Sequence, residues 1–154
     1  MFVYWLANTS RLLLRANLYA ITSAAFQPAI DTESTAHAIW LIGLLNTEIP
    51  LATVWSTRIA LCNSAQTFIK KGILNPTFTI PEGVTASLWE NLKVLAGDRG
   101  YESVRMAAAK TVAEFAEWVN GHGEWSHLQT KIRTELPGII EAETSSVIQA
   151  EYAR

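Results

Sequence analysis

Between residues 122 and 127 the chain reads His122-Gly-Glu124-Trp-Ser-His127, the stretch where metal chemistry would be sought first. Imidazole and carboxylate are ligands that zinc and iron accept, and here they crowd into less than two helical turns. Glu124 and His127 stand at the Glu-x-x-His spacing by which di-iron helix bundles project both groups from one helix face. Such a centre needs a second pair and two further glutamates, and the pattern does not recur. Glycines flank His122 and favour a turn over a rigid site. Solvated loop histidines are the simpler reading, and no metal is assigned.

The remaining reactive side chains reduce in the same way. His37 follows Glu33 by four residues, a spacing at which a carboxylate could orient a general base. A histidine partly buried near a helix end accounts for it more simply. Cys62 lies on an apolar stripe with no histidine beside it, which fits a core thiol better than a nucleophile. There is no Gly-x-Ser-x-Gly elbow and no glycine-rich phosphate loop. Asn8-Thr-Ser10 matches a glycosylation sequon by chance, within an apolar helix. The expectation is therefore a protein that is not an enzyme and holds no cofactor. Convergence of His37, His122 and His127 in space, or zinc or iron retained through purification, would reopen the question.

Basic residues raise the possibility of phosphate contact. Residues 1–75 carry Arg11, Arg15, Arg58, Lys70 and Lys71 against Asp31, Glu33 and Glu48, and this weakly compensated set is the place to look for a nucleic-acid backbone. Arg99, Arg105 and Lys110 form a second set, but Glu102, Glu114 and Glu117 are interleaved with it, as on a solvated, salt-bridged face. Neither half is basic enough to announce nucleic acid.

The elements that would position these groups read as helices throughout. With 49% apolar residues, 17% charged residues against the usual quarter or so, and six Trp, more surface is apolar than one core requires. Surplus Trp points either to an aromatic core or to contact with partners. A first helix spans residues 2–26, and Gln27-Pro28 ends it. A second, from about Thr35 to Asn46, is apolar on every face between Ala38 and Leu45, which marks it as the central post. A third runs from Pro50 to Lys71, with Leu51, Val54, Trp55, Leu61, Cys62, Ala65, Phe68 and Ile69 on one stripe. Asn75-Pro76 and Pro81-Glu82-Gly83 bracket a non-helical connection at about 73–83. A fourth helix starts near Thr85–Ser87, where Ser87 and Glu90 have capping-box spacing, and stops at Gly97. A fifth spans Tyr101–Asn120 and a sixth Trp125–Leu136. Pro137-Gly138 breaks the chain before a last helix over Ile139–Tyr152.

One short resemblance stands at the start. Tyr4-Trp-Leu-Ala-Asn-Thr-Ser-Arg-Leu-Leu13 is similar to a helix opening in the dilute (class V myosin cargo-binding) domain. It covers about ten residues and nothing downstream continues it, as for any two amphipathic helices.

These readings converge on an all-α, single-domain bundle of five to seven helices over residues 1–154, in two helical halves of about 1–72 and 84–154. The expected role is an assembly subunit that packs against copies of itself or other chains, in a virion or a multisubunit particle. Phe2, Trp5 and Leu6, in an apolar run at the chain start, are the expected protein contact, with Trp5 as anchor. The alternative is a small subunit of a nucleoprotein complex using Arg11, Arg15, Arg58, Lys70 and Lys71. No stretch is long and apolar enough to span a membrane, and the first residues lack the basic region of a signal peptide. A cytoplasmic setting, or one inside an assembled particle, follows.

Overall fold

The computed structural model describes residues 35–74 and 80–153. Six helices pack together, and no strand occurs among the described residues. They are α1 (Thr35–Glu48), α2 (Trp55–Leu74), α3 (Glu82–Ala96), α4 (Glu102–Asn120), α5 (Ser126–Ala142) and α6 (Ser146–Tyr152), with a 3-10 turn at Ile49–Leu51 between the first two. None of the helices among the described residues is long and apolar enough to cross a membrane. The first helix expected over residues 2–26 lies outside the described residues.

Among the described residues, helix α4 makes the most extensive packing contacts. It packs on α2 most extensively, then on α3, α6 and α5, whereas α1 rests mainly on α3 and α2. The physical reason lies in side-chain size. Ala108, Ala109 and Thr111 of α4 are fully buried, and so are Cys62 and Ala65 of α2. Small residues let the two backbones approach until the Thr111 hydroxyl, which donates to Ala107 O at 2.8 Å, also reaches Cys62 O across the interface at 3.3 Å. The all-round apolar character of α1 shows burial, with Ile42, Leu44 and Leu45 inside. It does not measure how many neighbours a helix has.

Aromatic rings fill the space that these small residues leave at the other end of α4. Trp89 stacks on Phe115 with centroids 5.8 Å apart. Trp118 meets Phe68 edge-on at 5.4 Å and Trp125 at 5.0 Å, arrangements that suit ring quadrupoles. Of the four Trp whose side chains are described, Trp89, Trp118 and Trp125 are core and Trp55 is 46% exposed. Trp5 and the side chain of Trp40 lie outside the described residues.

Four expectations are corrected. The third helix does not start at Pro50. Pro50 sits in the 3-10 turn, and the α-helix begins again at Trp55, so the stripe is interrupted over Ala52–Val54. Leu51 and Trp55 therefore point outward, at 63% and 46% exposure, while Leu61, Cys62, Ala65, Phe68 and Ile69 keep the core register. The connection at 73–83 is shorter, because α2 runs to Leu74 and α3 starts at Glu82; residues 75–79 are outside the description. Ser87 is no cap. Pro81 precedes the first turn with φ −58°, a conformation already suited to a helix start, and Ser87 Oγ donates to Gly83 O inside α3. Finally, Pro137 lies inside α5, which continues to Ala142. Its missing N–H removes one helical bond. Leu136, Ile139 and Ile140, packed against the core on either side, hold the helix together.

Candidate protein-docking surface

The exposed aromatic residues stand at one end of the bundle, over a buried polar latch. The segment Gly97–Tyr101 joins α3 to α4, and Asp98 organises it. One carboxylate oxygen of Asp98 accepts from the Gly100 and Tyr101 amides at 2.8 and 3.0 Å. The other accepts from Arg58 Nη1 of α2, while Arg58 Nε donates to Ala52 O at 2.9 Å. Burial alone would push the Asp98 carboxyl up. The Arg58 guanidinium and the two amides outweigh it and hold the group below its ordinary range. On the far side, Arg105 Nη1 donates to Asp98 O at 3.0 Å and its Nε to Glu143 at 3.1 Å. Glu143, buried ahead of α6, also accepts from Ser145 N at 3.0 Å. One chain of charge-assisted hydrogen bonds thus ties α2, α4 and the α5–α6 corner together.

This latch holds the Tyr101 amide and Arg58, which is three residues along α2 from Trp55. Trp55, in the first turn of α2, and Tyr101, the residue before α4, bring their rings to 6.1 Å at a tilt of 35°. Trp55 is 46% exposed and Tyr101 48%, with exposed Leu51 close by in the chain. Trp, Tyr and Arg are the side chains in which interface energy concentrates. Sequence reasoning missed the pair, since Trp55 was read as core and Tyr101 only as a helix start. A local signal was present: Asp98-x-Gly100 is the composition of an Asx turn, which places the following side chain.

Other predicted positions scatter. Arg58 is committed to the latch, and Lys70 lies 3.7 Å from Glu114 Oε1. These two are twelve residues apart on α2, about 18 Å along the helix axis. Arg11 and Arg15, and the side chain of Lys71, lie outside the described residues, as do Phe2, Trp5, Leu6 and the dilute-like stretch. The side chain of His37 is likewise outside. His122 and Glu124 do come together, with Nδ1 2.8 Å from Oε1, but not as metal ligands on a helix face. Glu124 precedes α5, so the Glu-x-x-His register with exposed His127 never forms. His122 is not a solvated loop side chain either. It stacks on Trp125 at 4.1 Å, with the edge of Trp118 at 5.7 Å. Gln129 Nε2 clamps this corner by donating to Val119 O and His122 O. Among the described residues no group of histidine, cysteine and carboxylate side chains could hold a metal ion. Cys62 is buried, and desolvation pushes its thiol up to about 12.

Residues 8–154 match the family described as ECM29, C-terminal ARM-like repeats. The chain belongs to that family. No curated protein and no solved structure matches it. ARM-like units are helical repeats, and the all-helical packing of the described residues fits that description.

Proposed function

We propose that this chain is a protein-docking segment of an adaptor of the ECM29 type, a non-catalytic scaffold, and that its partner is the proteasome. The observation that carries the reading is the family match across residues 8–154. Trp55 and Tyr101 supply the contact within it, their rings against each other and the Tyr101 amide held by the Asp98 latch. The virion setting has no support in the family. Phe2, Trp5 and Leu6 stay as a second proposed contact, with a copy of this chain or another protein, to be read out by deleting residues 1–6 and following assembly by light scattering beside helical content and Tm.

Purified chain is mixed with intact proteasomes and sedimented. Co-sedimentation is expected, and the double substitution Trp55→Ala with Tyr101→Ala should lower affinity at least about tenfold, with helical content unchanged. A wild-type chain that stays in the supernatant at every concentration overturns the partner. Nucleic acid as the alternative partner would show as binding that weakens steeply between low and moderate salt.

A further inference from the structure

Between α4 and α5, away from the aromatic surface, lies a cavity of about 450 Å³. Val119, Ile132, Leu136, Pro137 and Ile140 give it an apolar lining, and two charged residues belong to opposite walls: Glu117 on α4 and Arg133 on α5. Both are exposed, and among the described residues no ion pair joins them. An apolar trough flanked by unlike charges selects its occupant on two grounds.

The first is the backbone. Both walls are α-helical, so nearly all their peptide groups bond within their own helices; the exception is Arg133 O, whose partner four residues on is Pro137, which has no N–H. Val119 O, at the edge of the trough, is already taken by Gln129 Nε2. An extended peptide would bring a run of N–H and C=O groups into the trough, where only the side chains of Asn120 and Gln129 and the Arg133 carbonyl could meet a few of them, a cost that a helix avoids by pairing its own. The second is charge. A ligand of one sign gains at one wall and is repelled at the other, so a segment carrying an acid on one flank and a base on the other fits best.

We propose that this trough docks an amphipathic helix of a partner protein, with leucine-sized side chains on the apolar seam, an acidic residue toward Arg133 and a basic residue toward Glu117. It deepens the reading of the chain as a docking segment and uses a surface separate from Trp55 and Tyr101.

The test uses acetylated, amidated peptides of about fourteen residues, near the length at which isolated helices become marginally stable. Each carries the same leucine seam. One has Glu on one flank and Lys on the other, a second Glu on both flanks, a third Lys on both. Reversing the mixed peptide exchanges its flanks, so just one of its two directions pairs both charges, and the free peptide can adopt that direction. Each is titrated into the isotopically labelled full chain while the resonances of Ala116, Leu136 and Ile140 are followed. For the wild type, saturable shifts at these residues are expected, with the mixed peptide about tenfold tighter than either uniform one. Glu117→Lys should move the preference to the all-Glu peptide, and Arg133→Glu to the all-Lys peptide. Both positions are exposed, so the fold should survive, as circular dichroism checks. Absence of saturable shifts at the trough overturns the site, and an order of preference untouched by the two variants overturns the charge rule. Shifts confined to Trp55 and Tyr101 overturn the trough but leave proteasome docking standing.

Discussion

Removing Arg58 should destabilise the protein more than neutralising the carboxylate it holds. The Asp98 side chain is 4% exposed and accepts hydrogen bonds from Arg58, Gly100 and Tyr101. Arg58→Met leaves that carboxylate buried with its two amide donors and no counter-charge. Asp98→Asn keeps an oxygen for the amides and leaves Arg58, at 26% side-chain exposure, free to rehydrate. Hydrogen bonds to charged groups contribute about 1.5–3 kcal/mol, and an orphaned buried charge adds to the loss. Arg58→Met should thus cost about 3 kcal/mol and Asp98→Asn about 1–2 kcal/mol. For a chain of this size that is a fall in Tm of about 6–12 °C for the first variant and about 2–8 °C for the second, by thermal unfolding at neutral pH. The pH dependence follows with its sign. The folded Asp98 sits below its unfolded value, so its stabilisation is present above the unfolded pKa, about 4, and is lost as pH falls through the folded one. Read at equal pH, the Tm difference between wild type and Asp98→Asn should close on acidification below about pH 4, while Glu90 and Glu135, also held low, weaken both chains alike. If Arg58→Met cost less than Asp98→Asn, the latch would not be held by its charge pair.

Three further outcomes follow from single side chains. Tyr152→Phe should leave stability unchanged or raise it, because the Tyr152 hydroxyl is buried with no partner and its removal orphans nothing; chemical denaturation measures this. Gly138→Ala should stabilise by about 0.5–1 kcal/mol, since a Cβ there meets nothing within 4 Å and glycine is a poor residue inside a helix; a lower Tm would contradict the open face of α5. Cys62 should resist iodoacetamide at neutral pH in the folded protein and react once it is unfolded, because burial lifts its thiol to about 12.

Periodicity made the helices legible, and their ends were legible where a glycine closes them, as after Ala96 and Asn120. It failed at Leu51 and Trp55, since a three- and four-residue spacing continues across Ala52–Val54 whether or not the backbone is still helical. It failed at Pro137, where packing of Leu136, Ile139 and Ile140 outweighs a lost hydrogen bond. Apolar character marked α1 as buried, and small side chains at Ala108 and Ala109 give α4 its close packing on α2 among the described residues. The pairing of Arg58 with Asp98, forty residues apart, had no local trace, because only tertiary folding brings α2 to the α3–α4 turn. The proposed docking surface was therefore not legible: the surplus of Trp is mostly core, in Trp89, Trp118 and Trp125, and Trp55 was read as core too.

The most direct measurement is sedimentation of the full chain with intact proteasomes, wild type beside the Trp55→Ala, Tyr101→Ala double variant. Docking through the aromatic surface gives saturable co-sedimentation of the wild type and a loss of at least about tenfold in the variant, with helical content unchanged. Equal binding of both chains would remove Trp55 and Tyr101 from the interface, and a wild-type chain that never pellets with the particle would contradict the adaptor reading itself.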